Sequence, residues 1–390
     1  MSAPLKISAA LIVAVLLFVT GMFLGGHPES LPEPARNAFV ADDRALRAEI
    51  IDAIKDDFYR PVKDSEIDEA SLKGIVEGLG DQFSHYITPK EAKEFEQSLR
   101  GEFEGVGMNV DEDRRGLRVV KVFEGSPAEG EGIEADEFVT AVDGESIAGV
   151  SAQIATSRIK GPAGTKVELE IVNPDDGRAR TLKLTRAKIE VPTSEGRIAR
   201  RGSDRFGVVE LTNFGPGAHG ELRREIDKLL EQGVEGLVLD LRGNGGGLLS
   251  EAVLVSSQFV EDGLITFTNG RARDKREFDA QGEAIAADVP VVVLVDGGSA
   301  SASEIVTGAL RDRKRATVVG EKTFGKGVFQ EVEELSNGGQ LSITVGQYFL
   351  PSGENIGKKG IAPSVKAVDD PDTERDEAVP VALKTLQEKG

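Results

Sequence analysis

The chain has 390 residues, no Cys, no Trp, three His and a formal net charge of −20. This length allows two or three domains with a sizeable core. Without Cys there are no thiol nucleophiles, disulfides or Cys-ligated metals, and three His argue against a His-rich metal site. The acidic balance argues against nucleic acid as a partner, because phosphates require clustered Lys and Arg. We therefore expect neither a metal nor another cofactor.

The N-terminus carries an apolar run from Ile7 to about Leu24, preceded by Lys6. A run of about 18 residues is close to the minimum for a membrane span. A secretory signal would look similar, but the small residues after the run lack a clear A-x-A cleavage pattern. We expect residues 1–25 to be a membrane anchor or signal segment. The body of the protein would then lie in the cell envelope, on the periplasmic side of the inner membrane, or be secreted if the segment is cleaved.

Residues 26–41 are rich in Pro, Glu and Ala and have the composition of a linker. Residues 42–100 are predicted to be an N-terminal helical segment. Its first apolar face has three- and four-residue spacing, as a helix requires, and consists of Leu46, Ile50, Ile51, Ile54 and Phe58. Further helical patterns occupy residues 71–79 and 89–99, where Pro89 suits a first helical turn.

Residues 101–187 change to short β patterns with one predicted helix between Ile147 and Ile159. This order resembles a PDZ domain. The resemblance is carried by Gly105-Val106-Gly107-Met108, Gly125-Ser126-Pro127-Ala128 and Val142-Asp143-Gly144. It implies that Gly105, Val106, Gly107 and Met108 form a loop whose N–H groups bind the terminal carboxylate of a peptide. Residues 132–136 depart from the usual Gly-Leu-x-x-Gly-Asp pattern, and an unrelated small β module is the alternative.

Residues 188–365 alternate predicted strands and helices, which indicates an α/β layered core. The strands are Phe206 to Leu211, Gly236 to Leu241, Val289 to Val295 and Ala316 to Val319; the helices are Gly220 to Gln232, Glu251 to Phe259 and Ala302 to Arg313. Residues 366–390 form a C-terminal segment with one more predicted helix. The fold class is thus α/β multidomain: a layered α/β core, an inserted mainly-β domain that resembles a PDZ domain, and an N-terminal helical segment.

Three serines, Ser299, Ser301 and Ser303, lie at a predicted strand-to-helix turn. The spacing of Ser301 and Glu304 also fits a capping box, in which the serine caps the helix and the glutamate reaches back. A cap and a nucleophile are compatible, because a helix N-terminus also stabilises developing negative charge. The pattern alone leaves the choice among the three serines open.

A glycine-rich turn, residues 243–247, follows another predicted strand. Glycines let the backbone approach a ligand and turn N–H groups toward it, as an oxyanion hole requires. A tight turn without function is the alternative.

Residues 320–326 match the G-x-x-x-x-G-K pattern of a phosphate-binding loop. Gly327 stands where Ser or Thr would ligate magnesium, and an extended segment follows instead of a long helix, so we disfavour nucleotide binding. Lys326 lies between two glycines and close to Phe324. Desolvation there can lower the pKa of a lysine from about 10.4 toward neutrality, and a neutral amine can accept a serine proton.

These motifs resemble the carboxy-terminal processing, or tail-specific, proteases, which are serine peptidases with an embedded PDZ domain and a Ser/Lys dyad. The resemblance covers about residues 42–365. The motifs specific to it are Ser299-Ala300-Ser301-Ala302-Ser303-Glu304-Ile305, Gly325-Lys326-Gly327 and Gln330. It implies a serine endopeptidase that recognises the free C-terminus of protein or peptide substrates. It also implies that flanking helical segments can pair protomers into a homo-oligomer.

The resemblance assigns roles to individual residues. Ser301 becomes the nucleophile, Lys326 the general base and Gln330 the residue that orients the lysine. The oxyanion donors become the N–H groups of Ala302 and of Gly246 or Gly247.

Two positions test how far these roles carry over. On a helical turn, Lys326 and Gln330 would touch, whereas on a strand they would lie about 13 Å apart, so the role of Gln330 requires a turn. Lys160 stands where many relatives carry Arg, sometimes with a role in coupling the PDZ domain to the catalytic site. An ammonium cannot copy a bidentate guanidinium, which puts such coupling in doubt.

Two alternatives remain. One is a membrane-tethered PDZ scaffold with an inactive protease-like domain, which the intact Ser301, Lys326 and Gln330 disfavour. The other is a histidine-dependent serine hydrolase that uses His219, disfavoured because residues 213–220 have the pattern of a loop without a partner acid.

Overall fold

The computed structural model describes residues 13–17, 20–21, 42–282, 284–285, 287–370, 373 and 375–389. Most of the predicted anchor and all of the predicted linker lie outside these residues. Within them, no helix is both long and apolar enough to cross a membrane. The chain divides into two compact units, Met1–Tyr86 and Ile87–Gly390.

The first unit contains helix α1 (Asp42–Asp57) and helix α2 (Asp64–Glu77). The predicted apolar stripe of α1 is present, and its large side chains are exposed: Leu46, Ile50 and Ile54, followed by Phe58. Helix α2 begins seven residues before the predicted pattern. Its first turn carries Asp64 and Glu66, which stabilise a helix N-terminus, but the apolar residues there are too sparse to show a helical spacing. A short strand, β1 (His85–Ile87), comes next.

The second unit starts with helix α3 (Pro89–Leu99), which begins with the predicted proline. Thr88 and Glu91 form a reciprocal capping box in front of it. Strand β2 (Glu102–Gly105) then pairs antiparallel with β9 (Ala187–Glu190). This two-stranded ribbon carries the chain into and out of the PDZ domain.

The predicted PDZ domain is an antiparallel sheet with short helices around one core. Its elements are β3 (Met108–Asp113), β4 (Gly116–Val122), α4 (Pro127–Gly130), β5 (Phe138–Val142), β6 (Glu145–Ser146), α5 (Ala152–Ile159), β7 (Lys166–Val172) and β8 (Ala179–Thr185). The strand order is β3-β4-β5-β7-β8, with β6 paired to β5, so β3 is an edge strand. An edge strand beside a helix offers a place for an added peptide strand.

The α/β core, which the family resemblance predicts to be a serine protease core, is built on a six-stranded sheet of order β10-β11-β12-β15-β16-β19. The strands are β10 (Ser194–Arg201), β11 (Asp204–Leu211), β12 (Leu237–Asp240), β15 (Val291–Val295), β16 (Ala316–Gly320) and β19 (Val365–Lys366). From β11 to β19 neighbouring strands are parallel. Strands β12 and β15 are buried throughout, as expected for strands covered on both faces.

Four helices cover this sheet, and their apolar faces form its two cores. They are α6 (Ala218–Glu231), α7 (Leu249–Ser257), α8 (Ala302–Asp312) and α9 (Ala378–Gln387). Helix α6 begins at Ala218, so the expectation that residues 213–220 are all loop is wrong. Its residues have the right spacing for a helix, but Gly215 and Gly217 before it and Gly220 in its first turn obscured the start.

A second antiparallel sheet contains β13 (Leu264–Gly270), β14 (Arg273–Asp279), β17 (Val328–Glu334) and β18 (Gln340–Phe349). Strand β18 pairs with both β13 and β17. The sequence indicated only the extended segment after Gly327. Parallel β12, β15 and β16 end at one edge of the main sheet, and the three loops with the predicted catalytic motifs follow those ends. The topology therefore brings these loops together.

Candidate active site

Ser301 lies at the N-cap of α8, after the end of β15. Its backbone has φ 56° and ψ −112°, a left-handed region that a non-glycine residue rarely adopts. Such a conformation costs about 1–3 kcal/mol and persists only where the surroundings fix it. The turn is therefore held by the packing around it, and a serine there is presented at the beginning of a buried helix.

The structure distinguishes Ser301 from its two neighbouring serines. Ser299 and Ser303 are fully buried, and each hydroxyl donates to a backbone carbonyl: Ser299 to Leu241 at 2.7 Å and Ser303 to Asn244 at 2.8 Å. Ser301 is partly exposed. A buried hydroxyl that anchors a neighbouring loop is poorly placed to meet a substrate. Ser301 is thus the serine of the three that solvent can reach.

Glu304 joins the serine turn to the lysine loop. Its carboxylate is completely buried, and the same oxygen, Oε2, accepts the N–H groups of Ser301 and Lys326, each at 2.9 Å. The other oxygen accepts the Gly325 N–H at 2.8 Å and the Thr323 hydroxyl at 2.5 Å. Four donors compensate for burying the charge. The predicted reach of Glu304 back to Ser301 is confirmed, and it extends to Lys326, which sequence reasoning missed.

The lysine loop is packed backbone against backbone. A Cβ on Gly325 would lie 2.8 Å from the Gly360 nitrogen, and one on Gly327 would lie 2.4 Å from the Gly357 nitrogen. The glycines on either side of Lys326 therefore serve close packing and not a phosphate. Lys326 itself is half-buried, whereas the neighbouring Phe324 side chain is 55% exposed.

Tyr348, in β18, contacts the same loop from another direction. Its buried hydroxyl donates to the Lys326 carbonyl oxygen and lies 3.5 Å from the Ser301 carbonyl oxygen. Burial, and after it the nearby Glu304 charge, raises the pKa of the Tyr348 phenol well above its ordinary value. The phenol therefore stays protonated and acts as a donor.

The glycine-rich loop after β12 packs directly on the serine turn. A Cβ on Gly246 would lie 2.9 Å from Ser301 Cβ and 3.0 Å from the Ala302 nitrogen, so this position requires glycine. The Gly246 N–H already donates to Asn244 Oδ1 at 2.9 Å. Within the described chain, no hydrogen bond has the Gly247 or Ala302 N–H as donor. The two groups that remain open for an oxyanion are therefore Ala302 and Gly247.

Arg242 ties this loop to the C-terminal segment. Its guanidinium pairs with Asp240 at 2.6 Å and Asp376 at 2.9 Å, and also with Asp369. Burial alone would lower the pKa of Arg242, but the hydrogen bonds that it donates to Asp240 and Asp376 outweigh burial and raise it. The catalytic motifs did not reveal this network, because two of its acidic members, Asp369 and Asp376, lie 127 and 134 residues further along the chain.

Gln330 lies on strand β17, and its amide donates to Thr344 Oγ1 on β18 at 3.0 Å. The backbone is extended from Val328 onward, as predicted for the segment after Gly327, so the turn that a direct contact between Lys326 and Gln330 would require is not formed there. A β-bulge between Phe329 and Gln330 shifts the register of the strand pair. Local sequence could not predict this, because the bulge depends on the pairing with β18.

His219 has an acid partner, contrary to the sequence-based expectation. Its Nδ1 lies 2.8 Å from Glu251 Oε2, and the same carboxylate accepts the N–H groups of Gly217 and His219 at the start of α6. The partner was missed because it belongs to a helix beyond the glycine-rich loop. These bonds make Glu251 a cap for α6.

The predicted carboxylate-binding loop lies between β2 and β3 in the PDZ domain. Gly105 ends β2 and Met108 begins β3, with Val106 and Gly107 between them. In the part of the chain that the structure describes, neither Val106 nor Gly107 uses its N–H in a hydrogen bond. Gly107 has φ 88°, and a Cβ there would lie 2.2 Å from Ser126 Cβ. Ser126 thus holds the loop in the shape that only glycine allows.

Lys160 lies at the junction of the PDZ domain and the β2–β9 ribbon. Its ammonium is 5.7 Å from the centre of the Phe103 ring, a cation–π distance, and Phe103 belongs to β2. The residue therefore contacts the connection between domains through an aromatic ring and not through a bidentate ion pair. Among the described residues, no group of three or more His, Asp or Glu side chains could hold a metal ion.

Comparisons with known proteins agree with these two modules. A PDZ domain model matches residues 95–172, and the model of Peptidase family S41 matches residues 205–367. The chain is 33% identical over 362 residues to the carboxy-terminal processing protease CtpA of Bacillus subtilis, an alignment that covers 92% of this chain and 76% of that protein. This chain belongs to peptidase family S41, the carboxy-terminal processing proteases.

Further relatives of the protease support the same family. It is 36% identical over 307 residues to the carboxyl-terminal-processing protease of Synechocystis, with 78% of this chain and 72% of that protein covered. The solved photosystem II D1 C-terminal processing protease matches it with a TM-score of 0.50 at 29% identity, covering 85% of this chain and 94% of that one. The fold class and the family resemblance predicted from sequence are confirmed.

Proposed function

We propose that this protease is a serine endopeptidase that binds the free C-terminus of a protein in its PDZ domain and cleaves near that tail with a Ser301/Lys326 dyad. The observation that carries the proposal is the Glu304 oxygen that accepts both the Ser301 and the Lys326 N–H. That shared acceptor holds the two backbones side by side. The partial exposure of Ser301, against complete burial of Ser299 and Ser303, supports the choice of nucleophile.

The reaction is acyl transfer. Neutral Lys326 takes the Ser301 hydroxyl proton while Oγ attacks the carbonyl carbon of the scissile bond. The N–H groups of Ala302 and Gly247 stabilise the oxyanion of the tetrahedral intermediate. Lysine then returns the proton to the leaving amine, and water hydrolyses the acyl-enzyme with lysine again as base. Because only the neutral amine accepts a proton, kcat should rise with pH until Lys326 is deprotonated.

Gln330 enters this proposal as an orienting residue without a direct i, i+4 contact. Its bond to Thr344 places it on the β17–β18 hairpin that follows the lysine loop. We infer that it acts from this hairpin. Gln330→Ala should then lower kcat less than Lys326→Ala does, and activity equal to that of the unmodified protein would remove its role.

Substrate selection is assigned to the PDZ domain. The open N–H groups of Val106 and Gly107 support binding of a terminal carboxylate, with the tail added beside edge strand β3. The bound tail then delivers an upstream peptide bond to Ser301. A substrate whose C-terminus is amidated should be cleaved more slowly than the same substrate with a free carboxylate.

The dyad is tested with three alanine variants and a tailed protein substrate. Ser301→Ala and Lys326→Ala should each abolish cleavage while circular dichroism stays unchanged. Ser303→Ala is the matched control: it should lose stability, because the bond to Asn244 is lost, yet still cleave. Cleavage by Ser301→Ala together with none by Ser303→Ala would show that the nucleophile is misassigned.

The rival proposal of an inactive PDZ scaffold is separated by the same substrate. A scaffold binds the tail without cleaving it, so the unmodified protein and Ser301→Ala would then behave alike.

We further infer that residues 1–25 direct the protein to the cell envelope and attach it to the membrane. Fractionation of cells tests this, and recovery of the protein in the cytoplasm would contradict it.

A further inference from the structure

Tyr348 is a large, nearly fully buried side chain in the protease core, 2% exposed. A buried phenol requires a hydrogen-bond partner, because an unmade bond costs free energy. Here the partner is the backbone of the lysine loop: the phenol donates to the Lys326 carbonyl oxygen and has a longer contact, 3.5 Å, with the Ser301 carbonyl oxygen. Tyr348 is thus the side chain of β18 that reaches both residues of the dyad.

Together, Tyr348 and Glu304 hold the Lys326 backbone from both ends. Glu304 accepts the Lys326 N–H at 2.9 Å, and Tyr348 donates to the Lys326 carbonyl. Both groups of that residue are therefore satisfied by side chains and not by a neighbouring strand or helix. A loop without regular secondary structure gains a fixed backbone position in this way.

Tyr348 is itself held in place by Asn355. The Asn355 amide donates to the Tyr348 carbonyl at 2.7 Å and to the Gly327 carbonyl at 2.8 Å. Its side-chain oxygen accepts the Gly357 N–H at 2.9 Å. One amide group thus connects the strand that carries the tyrosine to the residue that follows the lysine.

The geometry points to Tyr348 as a positioning residue of the dyad, which fixes the Lys326 backbone so that the amine meets the Ser301 hydroxyl. This inference rests on the proposed Ser/Lys function. Lysine has a long flexible side chain, so the position of its amine depends on a fixed backbone. A general base must lie within hydrogen-bond reach of the proton it takes, and a misplacement of about 1 Å can lower the rate about 100-fold.

The phenol does not replace the lysine as base. It is buried, close to the Glu304 carboxylate, and already donates its proton to a carbonyl. A tyrosinate in this place would face a carbonyl oxygen and a carboxylate, both of which repel negative charge. Tyr348 therefore acts through Lys326 and not on the substrate.

The test is Tyr348→Phe, with Thr266→Val as matched control. Thr266 is fully buried on the adjacent strand β13, and its hydroxyl donates to the carbonyl of Phe349 at 2.8 Å. Both variants remove a buried hydroxyl that donates to a backbone carbonyl. Tyr348→Phe removes the bond to Lys326, and Thr266→Val removes the bond to Phe349. Cleavage of a tailed substrate is measured as kcat and KM per folded molecule, with the folded fraction taken from circular dichroism.

Tyr348→Phe should lower kcat about 10- to 100-fold with KM changed by less than about twofold, because binding of the tail is unaffected. Thr266→Val should keep the kcat and KM of the unmodified protein. A purely structural role would reduce the folded fraction of both variants and leave kcat per folded molecule unchanged. Equal kcat values for Tyr348→Phe and Thr266→Val would overturn the inference.

Lys326→Ala in the same assay separates this inference from the proposed function. If Lys326→Ala still cleaves, the dyad is wrong; if it does not cleave and Tyr348→Phe is fully active, only the role of Tyr348 is wrong. Should Tyr348→Phe fail to fold, Asn355→Ala decides. A fall in kcat at constant KM for Asn355→Ala supports the positioning role of Tyr348, and an unchanged kcat overturns it.

Discussion

Replacing Glu304 with Gln is the most informative perturbation of this site. The substitution keeps the size of the side chain but exchanges one carboxylate oxygen for an NH₂ group that cannot accept hydrogen bonds. The two oxygens of Glu304 each accept two donors, from Ser301 and Lys326 on one side and from Thr323 and Gly325 on the other. In either orientation of the glutamine amide, its NH₂ group therefore faces two hydrogen-bond donors, and both of those hydrogen bonds are lost.

The magnitude follows from the bonds that are lost. A hydrogen bond to a charged group contributes about 1.5–3 kcal/mol, so two losses amount to about 3–6 kcal/mol. Glutamine also avoids the cost of burying a charge, which offsets part of this. We expect a net destabilisation of about 2–4 kcal/mol and a fall in Tm of order 10 °C. Because the amide also separates the serine turn from the lysine loop, kcat should fall about 100-fold or more.

Glu251→Gln is the matched control. Glu251 is 6% exposed on α7 and accepts the N–H groups of Gly217 and His219, yet within the described chain it makes no hydrogen bond to Ser301 or Lys326. Both variants are compared by thermal denaturation and by kcat for a tailed substrate at a temperature where both are folded. We expect similar losses of Tm but a loss of kcat for Glu304→Gln alone. A Glu304→Gln protein with kcat within about threefold of the unmodified protein would refute this reasoning.

Three further predictions concern other parts of the chain. Gly107→Ala should weaken tail-peptide binding, measured by fluorescence polarisation, because its Cβ would collide with Ser126, whereas Gly144→Ala, with similar φ and open space, should bind normally. His219→Ala should retain kcat, since its partner Glu251 caps a helix; an inactive variant would revive a histidine-dependent mechanism. Burial would raise the pKa of Glu137, but hydrogen bonds from Arg180 outweigh burial and lower it. Because the pKa of Glu137 is lower in the folded than in the unfolded protein, its carboxylate stabilises the fold at pH values above the unfolded pKa. The free energy of unfolding of the PDZ domain should therefore decrease as the pH falls through the ordinary range of Glu. Denaturant unfolding at several pH values should show a smaller decrease for Arg180→Met.

The sequence predicted most of the core because its signals there are local. Continuous apolar runs gave the buried strands around Val291–Val295, and three-residue capping patterns gave the start of α8. Helix and strand order then placed three motif-bearing loops at one edge of a parallel sheet. The serine turn and the lysine loop could thus be expected to meet.

Other features depend on contacts between distant residues and carry no local signal. The bond from Glu304 to the Lys326 N–H joins residues 22 positions apart, and Arg242 meets Asp376 over 134 positions. The buried positions of Ser299 and Ser303 likewise depend on distant residues, since their hydroxyls donate to the carbonyl oxygens of Leu241, just before the glycine-rich turn, and of Asn244 within it. These contacts distinguish Ser301 and Gly247 from neighbours that look equivalent in the sequence.

Trapping the acyl-enzyme tests the central claim most directly. The protease is mixed with a tailed substrate, quenched with acid within milliseconds to seconds, digested and examined by mass spectrometry. We predict a substrate-derived acyl group on the peptide that contains Ser301, located by fragmentation at that residue, and its disappearance in both Ser301→Ala and Lys326→Ala. An acyl group on Ser299 or Ser303, or an unchanged acyl group in Lys326→Ala, would contradict the Ser301/Lys326 dyad.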